Sequence, residues 1–248
     1  EEKDFRRVLD LERKLNLVQL IFQISVLTGQ PCSKTLSKMN RVEWILSKKF
    51  AEVRCVPPDK PVIVSREPYQ GGTVLDPRRG LYCTPIIYTD FRSLYPSAVV
   101  EYGICYSEFG TILPPLLKDL VEQRSELAEQ AKTCDTTAIK RYVFKLLANA
   151  MYGCLASPHS RFYSLNLAKN ITNAGRQALL AAKSAIETKF GLTVIYGDTD
   201  SLMVLPNRGA TNIKELTENV LREVNGQYSY MRLQCEGIIK QLALFSKK

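Results

Sequence analysis

The segment from Leu192 to Leu205 constrains the fold of this chain most strongly, because it places two carboxylates between two apolar runs. It reads LTVIYGDTDSLMVL, and both flanking runs are rich in β-branched and aliphatic residues. Apolar runs separated by Gly-Asp-Thr predict a β-hairpin with Asp198 and Asp200 at its tip. Crowded carboxylates repel one another, which favours a divalent cation beside them. The segment therefore predicts an antiparallel sheet that ends in a metal-binding turn.

A second short apolar strand delivers another carboxylate. Residues 85–89 read PIIYT, Asp90 follows directly, and the chain then turns into a predicted helix. One carboxylate from each of two strands suits Mg²⁺ in phosphoryl-transfer sites, because Mg²⁺ keeps several waters and accepts few protein ligands. Either acidic segment alone is also typical of a solvated turn, so a third segment is needed to choose between the two interpretations.

The stretch between the acidic segments is helical and carries polar side chains on one face. At about 100° per residue, four of its residues share one sector: Arg141, Lys145, Asn149 and Tyr152. Two cations, an amide and an aromatic ring suit phosphates and a base pair. A merely solvated cationic face would leave the amide and the ring unexplained. Gly153 predicts the end of this helix.

A preceding helix, predicted over residues 113–132, places an arginine among apolar residues. Its two prolines fit a first helical turn. Arg124 falls in the apolar row, where a cation needs an anionic partner. The short link at residues 133–137 predicts an antiparallel helix pair that presents Arg124 and Lys145 to one triphosphate.

The remaining elements follow from periodicity and from glycine and proline signals. Helices are predicted at residues 4–27, 38–50, 165–190 and 215–224, and strands at 62–64, 230–235 and 238–245. Trp44 is predicted to pack on the helix at residues 38–50.

Three motifs resemble those of the family B DNA polymerases, in that family's order and spacing. Residues 90–97 (DFRSLYPS), 145–153 (KLLANAMYG) and 196–201 (YGDTDS) are similar to its motifs A, B and C. Residues 71–82, 101–105 and 160–163 are most similar to the alpha-type catalytic subunits of eukaryotes. The resemblance covers nearly the whole chain, from the helix around Asp4 to Lys248.

The resemblance implies an α+β fold: a polymerase palm, which is an antiparallel sheet with helices, plus a two-helix fingers insertion. A thumb and a complete exonuclease domain are expected to be absent. The implied domains are an N-terminal helical connector resembling the tail of the exonuclease-like region (1–68), the first part of the palm (69–112), the fingers (113–158) and the second part of the palm (159–248).

The activity implied by the resemblance is template-directed DNA synthesis with two Mg²⁺ ions. Asp90 and Asp200 would bridge the metals, the Phe91 carbonyl would add a ligand, and Asp198 would assist catalysis. The incoming nucleotide would contact Arg124, Lys145, Asn149, Tyr95, Leu94 and Ser93. The ring of Tyr95 would lie under the sugar, where it obstructs a 2′-hydroxyl.

The same resemblance assigns residues to the nucleic acid. Tyr152 and Gly153 would lie at the nascent base pair. Template and primer DNA would contact Tyr69, Gly71, Gly72, Lys247 and Lys248. Two positions depart from the family pattern, Ala150 where serine is usual and Ala128 where lysine is common. They remove one hydroxyl and one cation expected near the nucleotide.

Composition and charge agree with a polyanionic partner. The net charge is +9, and cations that neutralise phosphates gain affinity by releasing counterions. The expected partners are primer-template DNA, including RNA-primed templates, and dNTPs, with primase and an accessory B subunit by the alpha-type resemblance. No apolar segment is long enough to span a bilayer, so no membrane partner is expected, and the resemblance implies the nucleus. Seven scattered cysteines without a CxxC pair predict reduced thiols rather than a zinc site.

Two other functions fit part of the pattern. A catalytically silent, nucleic-acid-binding remnant of the same family would not need the three carboxylates, which cost stability when unpaired. A metal-dependent nuclease would share the acids and the basic charge, but it would not need the Lys145 face or Tyr95.

Overall fold

The structure is a computed structural model that describes residues 2–62, 68–106, 112–207 and 212–245. The α-helices are α1 (Glu2–Leu15), α2 (Leu17–Thr28), α3 (Lys38–Glu52), α4 (Leu94–Tyr102), α5 (Leu113–Glu126), α6 (Asp135–Ala156), α7 (Leu165–Phe190) and α8 (Ile213–Asn225). The β-strands are β1 (Gly80–Tyr82), β2 (Ile86–Phe91), β3 (Thr193–Asp198), β4 (Ser201–Leu205), β5 (Leu233–Ile239) and β6 (Leu242–Leu244). Helices and antiparallel strands together confirm the α+β class.

The chain divides into two compact units. The helical unit combines Glu1–Arg66 with Cys105–Leu165, and the sheet unit combines Glu67–Ile104 with Asn166–Lys248. In the described parts of the chain, no helix has the length and apolar character needed to cross a membrane.

The sheet unit is built on a four-stranded antiparallel sheet in the order β3-β4-β2-β5. Strands β3 and β4 form the predicted hairpin, and β1 pairs with β6 in a separate two-stranded sheet. Side chains alternate along β4, so that Leu202 and Val204 are buried while their neighbours are partly exposed. These residues share one core with apolar side chains of α7 and α8, such as Leu179, Ile186 and Val220. This core therefore covers one face of the sheet and helps to fix the register of its strands.

The helical unit packs α2, α3 and α5 against α6. The predicted partnership between α5 and α6 is therefore confirmed. The helical unit also contains an aromatic cluster, in which the ring of Phe50 lies 5.3 Å from that of Phe162 and 6.2 Å from that of Tyr106. The Tyr106 hydroxyl donates a hydrogen bond to the Phe162 carbonyl at 2.5 Å, and burial raises the pKa of this tyrosine.

Several predicted helix ends were correct. Helix α7 has the predicted bounds and is followed by Gly191 at φ 63°, a conformation that glycine adopts without strain. Helix α3 begins at the predicted Lys38, and α8 covers the predicted residues 215–224.

Other predicted helix bounds were wrong. The helix predicted over residues 4–27 is broken at Asn16, which adopts the left-handed conformation that asparagine tolerates (φ 49°, ψ 43°). Gly153 does not end α6, because the following turn buries Cys154 and Leu155, and that packing outweighs glycine's low helix propensity. Helix α5 stops at Glu126, and a short 3₁₀ turn at Gln130–Lys132 replaces its predicted end.

The predicted strands near the end of the chain are displaced. Strand β5 begins at Leu233 rather than at residue 230 and continues to Ile239, because its register is set by pairing with β2. Strand β6 is limited to the three residues that pair with β1. Of the strand predicted at residues 62–64, Val62 is not in a strand, and residues 63 and 64 lie outside the described residues.

Candidate active site

The tip of the β3-β4 hairpin is a tight turn. Asp198 pairs with Ser201, and Thr199 between them has a positive φ of 55°. The Asp200 N–H donates to the Asp198 carbonyl at 2.6 Å, and the Thr199 hydroxyl donates to the Asp198 carboxylate at 2.9 Å. Asp198 is exposed and Asp200 is partly buried. The turn therefore holds two carboxylates close together at the end of the sheet.

Asp90 lies beside this turn. Strand β2 is the neighbour of β4, and Asp90 pairs with Ser201, the first residue after the turn. The N–H of Phe91 donates to the Asp200 carbonyl at 2.7 Å. The predicted meeting of the two acidic segments is therefore present in the sheet: Asp90 comes from one strand, and Asp198 and Asp200 come from the turn of the adjacent hairpin.

The electrostatics of the turn disfavour ionisation of Asp200. Burial raises the pKa of Asp200, and the negative charge of Asp198 raises it further, against a backbone hydrogen bond that lowers it. A cation near both carboxylates would remove this cost, because opposite charge favours the ionised form.

The chemistry of the predicted ligands can be compared with that of Mg²⁺. Within the described ranges, no group of three or more His, Cys, Asp or Glu side chains is placed to hold a metal ion. The ligands predicted from the sequence, Asp90, Asp200 and one backbone carbonyl, would offer a few hard oxygens, and Mg²⁺ accepts few protein oxygens since it retains several waters. These residues fit that ion.

Hydrogen bonds fix the direction of the Phe91 carbonyl. In an antiparallel ladder, the N–H and C=O of one residue face the same neighbouring strand. The Phe91 N–H faces Asp200, whereas the next N–H, that of Arg92, faces away and donates to the Arg232 carbonyl at 2.9 Å. The carbonyl of the Phe91-Arg92 peptide therefore points toward the acidic turn.

The Arg232 carbonyl, which accepts from Arg92, follows a segment that Glu101 anchors. The sequence analysis did not include Glu101 in the site. The Glu101 carboxylate accepts the N–H groups of Ser229 at 2.9 Å, Tyr230 at 2.5 Å and Met231 at 3.0 Å. Burial alone would raise the pKa of Glu101, but the three N–H groups and the charge of Arg232 lower it. No local pattern signals this anchor, because more than a hundred residues separate its two sides.

Tyr95 lies near the acidic turn. It is half-buried on α4, and burial raises its pKa, as do the nearby charges of Asp200 and Tyr69. Its ring packs against α7: a Cβ added to Gly175 would lie 3.0 Å from the Tyr95 Cε1 atom. The absence of a side chain at Gly175 therefore makes room for the ring.

The neighbours of Tyr95 have different surroundings. Ser93 precedes α4 in a left-handed conformation with φ 47°. Leu94 is 3% exposed and belongs to the core of the sheet unit. Leu94 can therefore reach a nucleotide only through its backbone.

The predicted DNA-contacting segment, Tyr69 to Gly72, reaches the same turn. A Cβ on Gly72 would lie 2.5 Å from the Thr199 hydroxyl oxygen, so only glycine allows this approach. The Thr199 N–H donates to the Thr73 carbonyl at 2.8 Å. Gly71, by contrast, has no heavy atom within 4 Å of an added Cβ and faces open space.

Two residues of α7 hold this segment, and the sequence interpretation assigned a role to neither. The Arg176 guanidinium donates to the carbonyls of Gln70 at 2.7 Å and Gly71 at 2.8 Å. The Thr172 hydroxyl lies 3.1 Å from the Gln70 carbonyl and equally close to the Ala168 and Lys169 carbonyls of its own helix, which share its one hydrogen. Their spacing of four residues on one helix is the only local signal that could have indicated a shared role.

The other predicted nucleotide contacts lie in the helical unit. Lys145, Asn149 and Gly153 are exposed on α6, whereas Tyr152 and Arg124 are partly buried. A cavity of about 420 Å³ opens beside Asn149 and Gly153. The structure thus gathers the predicted residues into two sets, one in each unit. The remaining predicted DNA contacts, Lys247 and Lys248, lie outside the described residues.

Comparison with known proteins gives a consistent family. The model of DNA polymerase family B matches residues 31–111 and 108–248. The DNA polymerase alpha catalytic subunit of Xenopus laevis is 33% identical over 99% of this chain, and that of Dictyostelium discoideum is 34% identical over the whole of it. The chain spans about a fifth of the length of these relatives, 21% and 19% respectively.

A solved structure agrees over nearly the full chain. The family B DNA polymerase from the hyperthermophilic archaeon Pyrobaculum calidifontis superposes with a TM-score of 0.69 at 28% sequence identity. The match covers 97% of this chain and 35% of the archaeal one.

Proposed function

Because the chain belongs to DNA polymerase family B, we propose that it carries the catalytic part of a template-directed DNA polymerase. The observation that supports this most directly is the meeting of Asp90 with the Asp198-Asp200 turn on adjacent strands. In this proposal the sheet unit is the palm, and α5 with α6 forms the fingers.

The acidic turn is the proposed catalytic centre. Asp90, Asp200 and the Phe91 carbonyl would hold two Mg²⁺ ions, which supply a lower pKa for the primer 3′-hydroxyl and neutralise charge on the triphosphate. Asp198, exposed on the same turn, assists. The raised pKa of Asp200 supports this assignment, because a carboxylate that is costly to ionise alone gains most from a bound cation.

The chain's other residues select and orient the substrates. Tyr95, packed against Gly175, is proposed to lie under the sugar and to exclude a 2′-hydroxyl. Arg124 and Lys145 are proposed to bind the triphosphate, with Asn149 beside them, and they stabilise charge as it develops. Tyr152 and Gly153 are proposed to lie at the nascent base pair.

Primer-template DNA is the proposed polymeric substrate, including RNA-primed templates. The Tyr69-Gly72 segment supports this, because it is held against the acidic turn while Gly71 faces open space. The net charge of +9 supports the same partner. By similarity to the alpha catalytic subunits, we also propose primase and an accessory B subunit as partners, and the nucleus as the location.

Primer extension in Mg²⁺ tests the proposed reaction. Wild-type protein should extend a DNA primer in template order, whereas Asp90→Ala or Asp200→Ala should abolish extension and leave DNA binding largely intact, because each removes a metal ligand rather than a phosphate contact. Binding without extension by the wild type would favour the silent remnant. Shortening of the primer that requires both carboxylates would favour the nuclease.

Metal binding can be measured without the reaction. At a Mg²⁺ concentration about 100 times Kd, wild-type protein should gain about 2.7 kcal/mol of stability. The variant Asp200→Asn should lose this gain yet be more stable than wild type without metal, because it removes a partly buried charge beside Asp198. The exposed Glu218→Gln on α8 makes the same charge change away from the turn and should keep the Mg²⁺ effect. Equal Mg²⁺ stabilisation of wild type and Asp200→Asn would contradict the proposed metal ligand.

A further inference from the structure

A second cavity of the helical unit has no role in the proposed reaction. It encloses about 630 Å³ beside α3, and its lining includes Trp44, Lys34, Lys48 and Arg161. Its lining combines a large aromatic surface with three cations.

Trp44 is the aromatic surface of this cavity. It is 47% exposed, although the sequence predicts that it packs on the helix. The next two residues of α3, Ile45 and Leu46, are the buried ones. The indole Nε1 lies 3.6 Å from the position of a Cβ on Gly29, so that the end of α2 supports one edge of the ring. A supported and exposed indole can stack with a planar ligand.

The charge of the cavity favours an anion. Lys34, Lys48 and Arg161 are exposed, and none of them forms an ion pair within 4.0 Å in the described part of the chain. Glu43 is the one acid among the lining residues, all of which are described, and its carboxylate accepts the backbone N–H of Arg161 at 3.0 Å. The lining therefore carries a net charge of +2, from three cations and one acid.

An unpartnered acceptor completes the lining. Gln30 is 3% exposed, and its side-chain oxygen has no hydrogen-bond partner among the described residues. A buried amide oxygen without a donor is unfavourable, and a turn of this side chain toward the cavity would let a ligand N–H satisfy it. The exposed edge of a nucleobase offers such donors.

We propose that this cavity binds an unpaired segment of nucleic acid, with one base stacked on Trp44 and the neighbouring phosphates on Lys34, Lys48 and Arg161. Stacking requires an accessible face of the base, which a duplex conceals between neighbouring pairs, so the site selects a single strand. The proposal does not depend on the polymerase reaction, because it uses none of the proposed catalytic residues.

The fluorescence of Trp44 gives a direct test, because it is the only tryptophan of the chain. The full chain is titrated with an oligothymidylate of about 12 nucleotides, within the length that such sites occupy. We expect saturable quenching of Trp44 emission by the oligonucleotide. A duplex of equal length and inorganic polyphosphate should bind without this quenching. Quenching by polyphosphate to the same extent, by the duplex as strongly, or by none of the three would overturn the proposal.

Charge variants test the phosphate contacts. For single strands, each neutralised phosphate contributes about 0.7 to the slope of log affinity against log salt, so Lys34→Ala and Lys48→Ala should each lower the slope of the quenching titration by about 0.7. Lys214→Ala removes an exposed lysine of the sheet unit and serves as the matched control. A change as large in Lys214→Ala as in the two cavity variants would refute the assigned contacts.

Removal of the ring tests the stacking. Binding of a labelled oligothymidylate to Trp44→Leu, measured by fluorescence anisotropy, should be about fivefold to a hundredfold weaker than to wild type. Trp44→Phe keeps a stacking surface and should lose less affinity, which distinguishes stacking from a general defect in folding. Unchanged affinity in Trp44→Leu, or an equal loss in both variants, would contradict the proposal. Primer extension on the same samples reports separately on the catalytic proposal.

Discussion

Replacement of Glu101 by glutamine tests whether its carboxylate anchors residues 229–231, which precede the Arg232 carbonyl that accepts from Arg92. The carboxylate accepts three backbone N–H groups, and the glutamine amide keeps one acceptor oxygen while turning its NH₂ toward the remaining donors. Hydrogen bonds to a charged group each contribute about 1.5–3 kcal/mol, but water can replace part of this because the carboxylate is only partly buried. We therefore expect the local opening free energy of the segment to fall by about 1–2 kcal/mol.

Native-state hydrogen exchange measures this directly. A loss of about 1–2 kcal/mol corresponds to exchange that is about five to thirty times faster at the amides of Ser229, Tyr230 and Met231. The Arg92 amide, which donates to the Arg232 carbonyl, should exchange faster as well but by a smaller factor, because it is one step removed from the carboxylate. Glu236→Gln, an exposed substitution in β5 with the same change of charge, is the matched control.

The pH dependence provides a second check with a definite sign. The pKa of Glu101 is below its ordinary value of 4.5 in the folded protein, so its stabilisation is fully present above pH 4.5 and is lost as the pH falls through the lowered pKa. The difference in unfolding free energy between wild type and Glu101→Gln, measured by urea denaturation, should be constant from neutral pH down to about pH 4.5 and then shrink. Equal exchange rates in the two proteins, or a difference that persists undiminished in acid, would refute the anchor.

Three further substitutions follow from the same contacts. Gly175→Ala should displace the Tyr95 ring, since the added Cβ would lie 3.0 Å from it, and should raise the ratio of ribonucleotide to deoxynucleotide incorporation. An unchanged ratio would show that the position of the ring does not govern the choice of sugar. Arg176→Met should release the Tyr69-Gly72 segment and weaken primer-template affinity about tenfold by anisotropy, and a raised nucleotide KM with intact DNA affinity would count against this role. Tyr106→Phe should lower the free energy of urea unfolding by about 1 kcal/mol, because it leaves a buried carbonyl without its donor, and no measurable loss would show that the hydrogen bond is dispensable.

Short-range patterns predicted the parts of the fold that depend on neighbouring residues. The β3-β4 hairpin follows from two apolar runs around a Gly-Asp-Thr turn, and the end of α7 follows from Gly191. The break at Asn16 and the continuation of α6 through Gly153 were missed, because each is a weak local preference that packing can reverse.

In the candidate site, too, some features follow from the local sequence and others only from long-range contacts. The sequence by itself determined that Asp198 and Asp200 share a turn and that Asp90 ends another strand, since strand periodicity is local. Only the tertiary structure decided that this strand lies next to the hairpin, that Arg176 of α7 holds the Tyr69-Gly72 segment, and that Glu101 anchors residues 229–231. The physical reason is that these contacts join segments about a hundred residues apart. Their partners are backbone N–H and C=O groups, which nearly every residue carries, so the residue types do not reveal them.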